Sequence, residues 1–147
     1  MHHELHTEID IDATPEVVWQ VLTDLDRYTE WNPFITSSVG EPEVGQTLIN
    51  RMEPPGGMAI TLKPHVTVVE DGKTFEWLGK VGFSGVFDGR HRFDIEASAS
   101  GTKLTQSEEL DGMLVRLLRK SVDTSTKSGF EAMNVALKAR AESVAAD

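Results

Sequence analysis

The last quarter of the chain constrains the fold most, because about 30 residues there have the pattern of one uninterrupted helix. After Gly112 the sequence contains no proline and one glycine, Gly129. Apolar residues recur every three or four positions, as on one face of a helix. This pattern predicts a long amphipathic helix over 113–145. Its weakest helix-forming segment is 125–129, where a bend is expected.

The segment before that helix has the composition of consecutive β-strands. Turn sequences rich in Gly, Pro and Asp separate segments rich in Val, Ile, Thr and aromatic residues. Short turns favour antiparallel neighbours. The predicted strands cover 35–40, 46–53, 59–70, 74–83, 86–98 and 102–111.

The first 33 residues predict one strand and two short helices. Residues 5–11 alternate between apolar and polar positions, which is typical of a half-buried strand. Thr14 fits a helix N-cap and Pro15 the first helical position. A second helical piece is expected to end before Pro33. Seven antiparallel strands with helices on one face form an α+β architecture whose sheet curls and leaves a concave space.

Composition narrows the class of protein. A length of 147 residues predicts a single domain over 1–147. The absence of cysteine excludes disulfides and thiolate metal sites. The sequence has neither an apolar run of the about 20 residues a membrane span needs nor a signal-peptide pattern. We therefore expect a cytoplasmic protein without membrane insertion, either monomer or dimer.

The charge is acidic and uneven. The chain has 24 acids against 14 bases, a net charge of −10. Such a surface repels phosphate backbones, so nucleic acid is not an expected partner. Residues 1–31 carry eight acids and one base, whereas residues 113–147 carry four acids and six bases. The acidity serves solubility or, alternatively, docks the first third on a basic protein partner.

Six sequence segments form a recognisable set that spans nearly the whole chain. They are ATPEVVW at 13–19, DLDRYTEWNPF at 24–34, FEW at 75–77, DGRHRF at 88–93, GTKLTQSEELDG at 101–112 and GFEAMN at 129–134. These segments resemble the START-like superfamily, also called SRPBCC, which includes pollen-allergen proteins and polyketide cyclase/dehydrase-like proteins. The resemblance implies a helix-grip fold, a seven-stranded curved sheet around the C-terminal helix with a hydrophobic cavity between them. The superfamily hosts lipid carriers, hormone receptors, cyclases and co-chaperone modules.

Strand alternation places three polar residues, His91, Gln106 and Glu108, on the inward face of neighbouring strands. Opposed side chains on antiparallel strands lie about 5 Å apart, so His91 is expected to reach one of the other two. That contact would orient the carbonyl or hydroxyl of a ligand. Alternatively, His91 is a satisfied core histidine and Glu108 a structural anchor for the long helix.

Further ligand-binding candidates come from the same face and from the long helix. Trp77 is either core or cavity floor, and Asn134 either meets a ligand's polar end or bonds a loop. The full predicted ligand-binding set is Trp77, Phe75, His91, Phe93, Gln106, Glu108, Phe130, Met133 and Asn134.

Three functions remain open. The first is non-enzymatic binding of a small hydrophobic molecule such as a lipid, isoprenoid or polyketide-like compound. The second is a cyclase/dehydratase with His91 as general base, oriented by Glu108. The third is a protein-interaction module. No metal-ligand, dinucleotide or nucleophile-elbow motif occurs, so no metal or cofactor is expected. Cyclase pockets of this superfamily are expected to use Arg, Tyr or Ser, and strand alternation places no arginine inward.

Overall fold

The computed structural model describes residues 2–81 and 85–147, and it has the predicted α+β helix-grip architecture. A curved antiparallel sheet is packed against helices, and the longest helix lies at the C-terminus. The strands are β1 (His2–Ile11), β2 (Ile35–Val39), β3 (Ile49–Met52), β4 (Ile60–Leu62), β5 (His65–Glu70), β6 (Thr74–Val81), β7 (Phe87–Ser98) and β8 (Gly101–Asp111). The helices are α1 (Pro15–Thr23), a single 3-10 turn (Leu25–Arg27), α2 (Tyr28–Trp31), α3 (Val115–Ser121), a π-helical turn (Val122–Thr126) and α4 (Lys127–Ala146).

Eight strands are described where seven were predicted, because the segment 59–70 is broken into β4 and β5. Pro64 stands between the two strands, and a proline interrupts a ladder because it has no N–H to donate. The break separates a five-stranded sheet, ordered β1-β8-β7-β6-β5, from a three-stranded sheet, ordered β2-β3-β4. Leu48 N–H donates to the Pro64 carbonyl at 2.8 Å, so the two sheets stay in contact at this bend.

A bulge in β5 changes which side chains face the core. Alternation from Val66 predicts Val68 inward, but the register between β5 and β6 shifts between these two residues. Beyond the bulge, Val69 packs against the core instead. A bulge adds one residue to one strand and so reverses the alternation after it.

The predicted ends of several elements differ from those observed. The strand predicted over 46–53 is limited to Ile49–Met52. The strand predicted over 74–83 is described to Val81, and positions 82 and 83 lie outside the described residues. The Thr14 hydroxyl accepts a hydrogen bond from Val17 N–H at 3.4 Å, which confirms the predicted N-cap of α1.

The long C-terminal helix is continuous from Val115 to Ala146, but its winding changes at the π-helical turn, which overlaps the segment where a bend was predicted. The Thr124 hydroxyl donates to the carbonyls of Lys120 at 2.9 Å and Ser121 at 3.3 Å. Such contacts compete with the regular helix ladder. This irregular turn lies beside the pocket described below.

The start of α4 closely approaches Phe34, the residue before β2, at Gly129. A Cβ atom at this position would lie 2.4 Å from Cδ1 of Phe34, whose ring is fully buried. The ring of Phe34 also meets Phe130 edge-on, with 5.6 Å between centroids. Because glycine has no Cβ, the helix packs directly on the ring of Phe34, which also lines the pocket described below.

Candidate functional site

A pocket of about 140 Å³ lies between the centre of the sheet, the β3–β4 hairpin and the π-helical turn. The hairpin and its loop contribute Met52, Pro54, Ile60 and Leu62. The wall is mainly apolar, and its acid–base groups are His91 and Glu108. An apolar pocket with a few convergent polar groups is the usual form of a small-molecule site.

Two glycines lie side by side on the sheet face that forms one wall of the pocket. Gly79 on β6 and Gly89 on β7 are direct partners in the ladder, and both line the pocket. A Cβ atom at Gly79 would meet nothing closer than Pro64 at 3.7 Å. Neither β6 nor β7 therefore places a side chain over this part of the sheet, and the pocket lies there instead.

His91 forms the boundary between the pocket and the core. Its ring lies among Trp77, Phe93 and Phe130, with centroid separations of 4.8, 4.8 and 4.7 Å. The residue is 0% exposed, yet it lines the pocket. Three aromatic neighbours hold the plane of the imidazole and so determine where its two nitrogens point.

The two ring nitrogens of His91 have different surroundings. Nε2 forms a hydrogen bond of 2.9 Å with Oε1 of Gln106. Nδ1 is 3.3 Å from Oε2 of Glu108, close enough for an ion pair if the ring is protonated. The contact between Nδ1 and Glu108 does not have the geometry of a hydrogen bond. Nδ1 is therefore buried without a hydrogen-bond partner among the described residues. A buried unpaired polar atom is costly and suggests a missing partner.

Behind His91, a buried network ties the sheet to α4. The Gln106 amide donates to Oδ1 of Asn134 at 2.7 Å and to the carbonyl of Phe130 at 3.3 Å. The Asn134 amide donates to the hydroxyl oxygen of Thr7 at 2.9 Å, and the Thr7 hydroxyl donates to the backbone carbonyl of Gln106 at 2.8 Å. A fully paired polar network of this kind fixes the relative position of its elements.

The predicted site residues divide into three groups. Trp77, His91 and Glu108 line the pocket. Gln106 and Asn134 lie behind the pocket and hold His91, and Asn134 bonds side chains of β1 and β8 rather than a loop. The remaining predicted residues are buried in the core and do not line this pocket. They are Phe75, Phe93, Phe130 and Met133.

Most of the apolar wall was not among the predicted residues. Phe34, Val81 and Phe87 come from three different strands or strand ends, and Val122 and Thr126 come from the π-helical turn. In the sequence, nothing distinguishes these residues from ordinary core or surface positions. The Gly79 and Gly89 pair was the available signal, because glycine inside a strand often marks a site where a ligand or another backbone approaches closely.

The structure gives no sign of a metal or of a membrane-crossing helix within residues 2–81 and 85–147. No group of three His, Asp or Glu side chains there is arranged to hold a metal ion. In the same ranges, no helix has the length and apolar character needed to cross a membrane.

The fold and pocket together define a START-like, or SRPBCC, protein. Residues 2–142 match the family model described as polyketide cyclase / dehydrase and lipid transport. The chain belongs to this family. No curated protein sequence gave a significant match.

Several solved structures share the fold at low sequence identity. The Zhui aromatase/cyclase from Streptomyces sp. R1128 is 12% identical with a TM-score of 0.79, over 97% of this chain and 94% of that one. The di-domain ARO/CYC StfQ from the steffimycin biosynthetic pathway is 14% identical with a TM-score of 0.81, over 100% and 53%. The di-domain ARO/CYC BexL from the BE-7585A pathway is 17% identical with a TM-score of 0.77, over 96% and 50%. This chain thus spans about half of each di-domain protein, and the likeness shows the fold.

Proposed function

We propose that this protein binds a small, mainly apolar molecule in the pocket, as a carrier or receptor. One observation carries the proposal: the Nδ1 atom of His91 is buried, unpaired among the described residues and adjacent to an apolar pocket. A ligand would supply the missing polar partner and bury its apolar part against the wall. Family membership supports a ligand-binding or polyketide-processing role.

The volume of the pocket limits the size of the ligand. A dry apolar cavity of about 150 Å³ accommodates benzene. The pocket here has about 140 Å³ and so fits a molecule with one aromatic ring. A longer lipid, isoprenoid or polyketide-like chain would extend from the pocket into the surrounding solvent or require the hairpin to move.

Toluene is a suitable first probe because it tests apolar binding without a polar group. In a two-dimensional amide NMR titration, we expect saturable shifts at Gly79 and Gly89, which line the pocket. The amide of Val135, an exposed residue on α4 that does not line the pocket, serves as the internal control. Absence of saturable shifts with toluene and other single-ring probes would overturn the proposed binding function.

A second candidate function is catalysis of the cyclase/dehydratase type. The observation that favours it is the 3.3 Å approach of Nδ1 of His91 to Glu108 at the pocket wall, which places a base beside a carboxyl group. The described lining residues include no Arg, Tyr or Ser, the groups expected in pockets of the cyclases.

Turnover of a β-hydroxyketone of single-ring size tests this second function. If His91 is the base, His91→Phe should abolish turnover while leaving toluene binding measurable. Turnover that His91→Phe leaves unchanged would exclude His91 as the base. No turnover by the unsubstituted protein would leave binding as the better supported function.

A further inference from the structure

We infer that the pocket selects ligands that donate a hydrogen bond, such as phenols, enols and alcohols, over ligands whose polar group only accepts one. This inference rests on the proposed binding function and adds the chemical class of the ligand. It follows from the direction of each hydrogen bond in the network behind His91.

The direction of the network is set first at Thr7. The Thr7 hydroxyl lies 2.8 Å from the backbone carbonyl of Gln106. A backbone carbonyl carries no proton, so the single hydroxyl proton of Thr7 is used there. The oxygen of Thr7 must therefore accept from Asn134, 2.9 Å away, and the –NH₂ group of Asn134 must face Thr7.

The amide of Gln106 is then oriented by two separate contacts. Because the –NH₂ of Asn134 faces Thr7, its Oδ1 faces Gln106 and needs a donor at 2.7 Å. The backbone carbonyl of Phe130 also needs a donor, at 3.3 Å. Both contacts require the –NH₂ of Gln106, which leaves its Oε1 facing His91.

The orientation of Gln106 determines the tautomer of His91. Oε1 carries no proton, so Nε2 of His91 must donate across the 2.9 Å contact. The contact between Nδ1 and Glu108 lacks hydrogen-bond geometry, so a proton on Nδ1 would have no acceptor among the described residues. The form that fits the structure is therefore the neutral ring, whose single N–H is on Nε2 and whose Nδ1 is a bare acceptor. Two backbone carbonyls, on β8 and α4, thus decide which nitrogen at the pocket lacks a proton.

Two acceptors therefore lie side by side at this end of the pocket. Nδ1 of His91 is 3.3 Å from a carboxyl oxygen of Glu108. Apart from His91, the described wall residues with a side-chain N–H or O–H are Trp77 on β6 and Thr126 in the π-helical turn. A ligand hydroxyl that donates to Nδ1 satisfies that nitrogen and brings a proton beside the carboxylate. A ligand carbonyl would bring a third acceptor to the same place.

The tautomer is measurable without any ligand. In protein labelled with ¹⁵N-histidine, we expect the His91 ring at neutral pH to show a protonated Nε2 and a pyridine-like Nδ1. A protonated Nδ1, in either the other tautomer or the imidazolium ion, would overturn the inference and would leave the proposed binding function intact.

Three single-ring probes then test selection directly: phenol donates, benzaldehyde only accepts, and toluene does neither. We expect phenol to bind about tenfold more tightly than benzaldehyde, the difference typical of one net hydrogen bond. Toluene that binds while phenol and benzaldehyde bind equally would overturn the selection alone. Failure of all three probes to bind would overturn the proposed function.

Replacement of the carboxylate provides a matched pair of variants. Glu108→Gln adds an amide donor at the pocket and should reduce the phenol-to-benzaldehyde ratio several-fold. Glu109→Gln makes the same change one residue further along β8, at an exposed position that does not line the pocket, and should leave the ratio unchanged. Equal ratios in both variants and in the unsubstituted protein would contradict the inferred role of the Glu108 carboxylate.

Discussion

The ring of His91 is hydrogen-bonded to Gln106, its diagonal neighbour on β8, and not to Glu108, its direct partner in the ladder. In the ladder His91 stands opposite Glu108, and Phe93 stands opposite Gln106. The 2.9 Å hydrogen bond from His91 to Gln106 crosses this diagonal, while Nδ1 faces Glu108 at 3.3 Å. One ring thus joins the buried network to the pocket. A substitution in the network should therefore affect the pocket, and a substitution in the pocket should affect the network.

Loss of the Gln106 side chain should destabilise the fold. Gln106→Leu leaves the His91 N–H, Oδ1 of Asn134 and the Phe130 carbonyl without this partner. Because buried unpaired groups cost about 1–3 kcal/mol each, we expect the free energy of unfolding to fall by about 3 kcal/mol. Urea denaturation followed by tryptophan fluorescence measures this change.

A double-mutant cycle is the control for that prediction. Asn134→Leu should also destabilise the protein, because it removes the partner of both Thr7 and Gln106. The double variant should cost less than the sum of the single changes, since both residues belong to one network. Additive effects would show that the two side chains act independently.

Filling the space beside Gly79 should block ligand binding without unfolding the protein. Gly79→Leu places a side chain where a Cβ has room and further atoms enter the pocket. We expect toluene affinity to fall at least tenfold, since the apolar volume is no longer available, with the native circular dichroism spectrum retained. Gly79→Ala is the conservative control and should retain most of the affinity. Equal affinity in both variants would place the toluene site elsewhere.

Gly129→Ala should destabilise the protein, although this change usually stabilises a helix interior by about 1 kcal/mol. The new methyl group would lie 2.4 Å from the ring of Phe34, which is buried and cannot move freely. Overpacking of this kind costs about 1–3 kcal/mol. Thermal unfolding of Gly129→Ala beside Ser128→Ala, an exposed neighbour on α4, measures the difference.

The same substitution should change sign when the ring is removed. In a Phe34→Ala background, Gly129→Ala should be neutral or stabilising, because alanine has none of the ring atoms with which the new methyl group would clash. A constant destabilisation in both backgrounds would mean that the ring of Phe34 is not the cause.

Alkaline titration of the single tyrosine should report unfolding rather than a local event. Tyr28 is fully buried and donates to the carbonyl of Leu22 at 2.5 Å. Burial, with a smaller effect of the Asp24 charge, raises the pKa of Tyr28 well above its usual range. A raised folded-state pKa means that stability is retained below about pH 10, the unfolded value, and is lost as pH rises further.

Tyrosinate absorbance and tryptophan fluorescence should therefore change together, since Tyr28 is the one tyrosine in the chain. The Tyr28→Phe variant should give no tyrosinate signal and should lose less stability above pH 10. Tyrosinate that forms while the fluorescence stays native would contradict the buried position of this hydroxyl.

Local patterns were enough to predict which residues of the central strands point inward. His91, Gln106 and Glu108 were placed on the inward face from strand alternation alone, and their burial agrees with this. Alternation is a property of the extended backbone and needs no knowledge of other elements. The same reasoning failed after the bulge in β5, where one extra residue brings Val69 rather than Val68 against the core.

The amino-acid sequence by itself determined the order of elements, the long C-terminal helix and the inward face of the sheet, because periodicity, turns and caps are local. Tertiary structure decided which part of that face is pocket and which is core. Helix α4 covers Gln106 and engages it through Asn134, whereas the β3–β4 hairpin and the π-helical turn stand over the Gly79 and Gly89 pair and leave a cavity. His91 lies at the boundary between these two coverings, and only the packing of distant segments could place one of its nitrogens on each side.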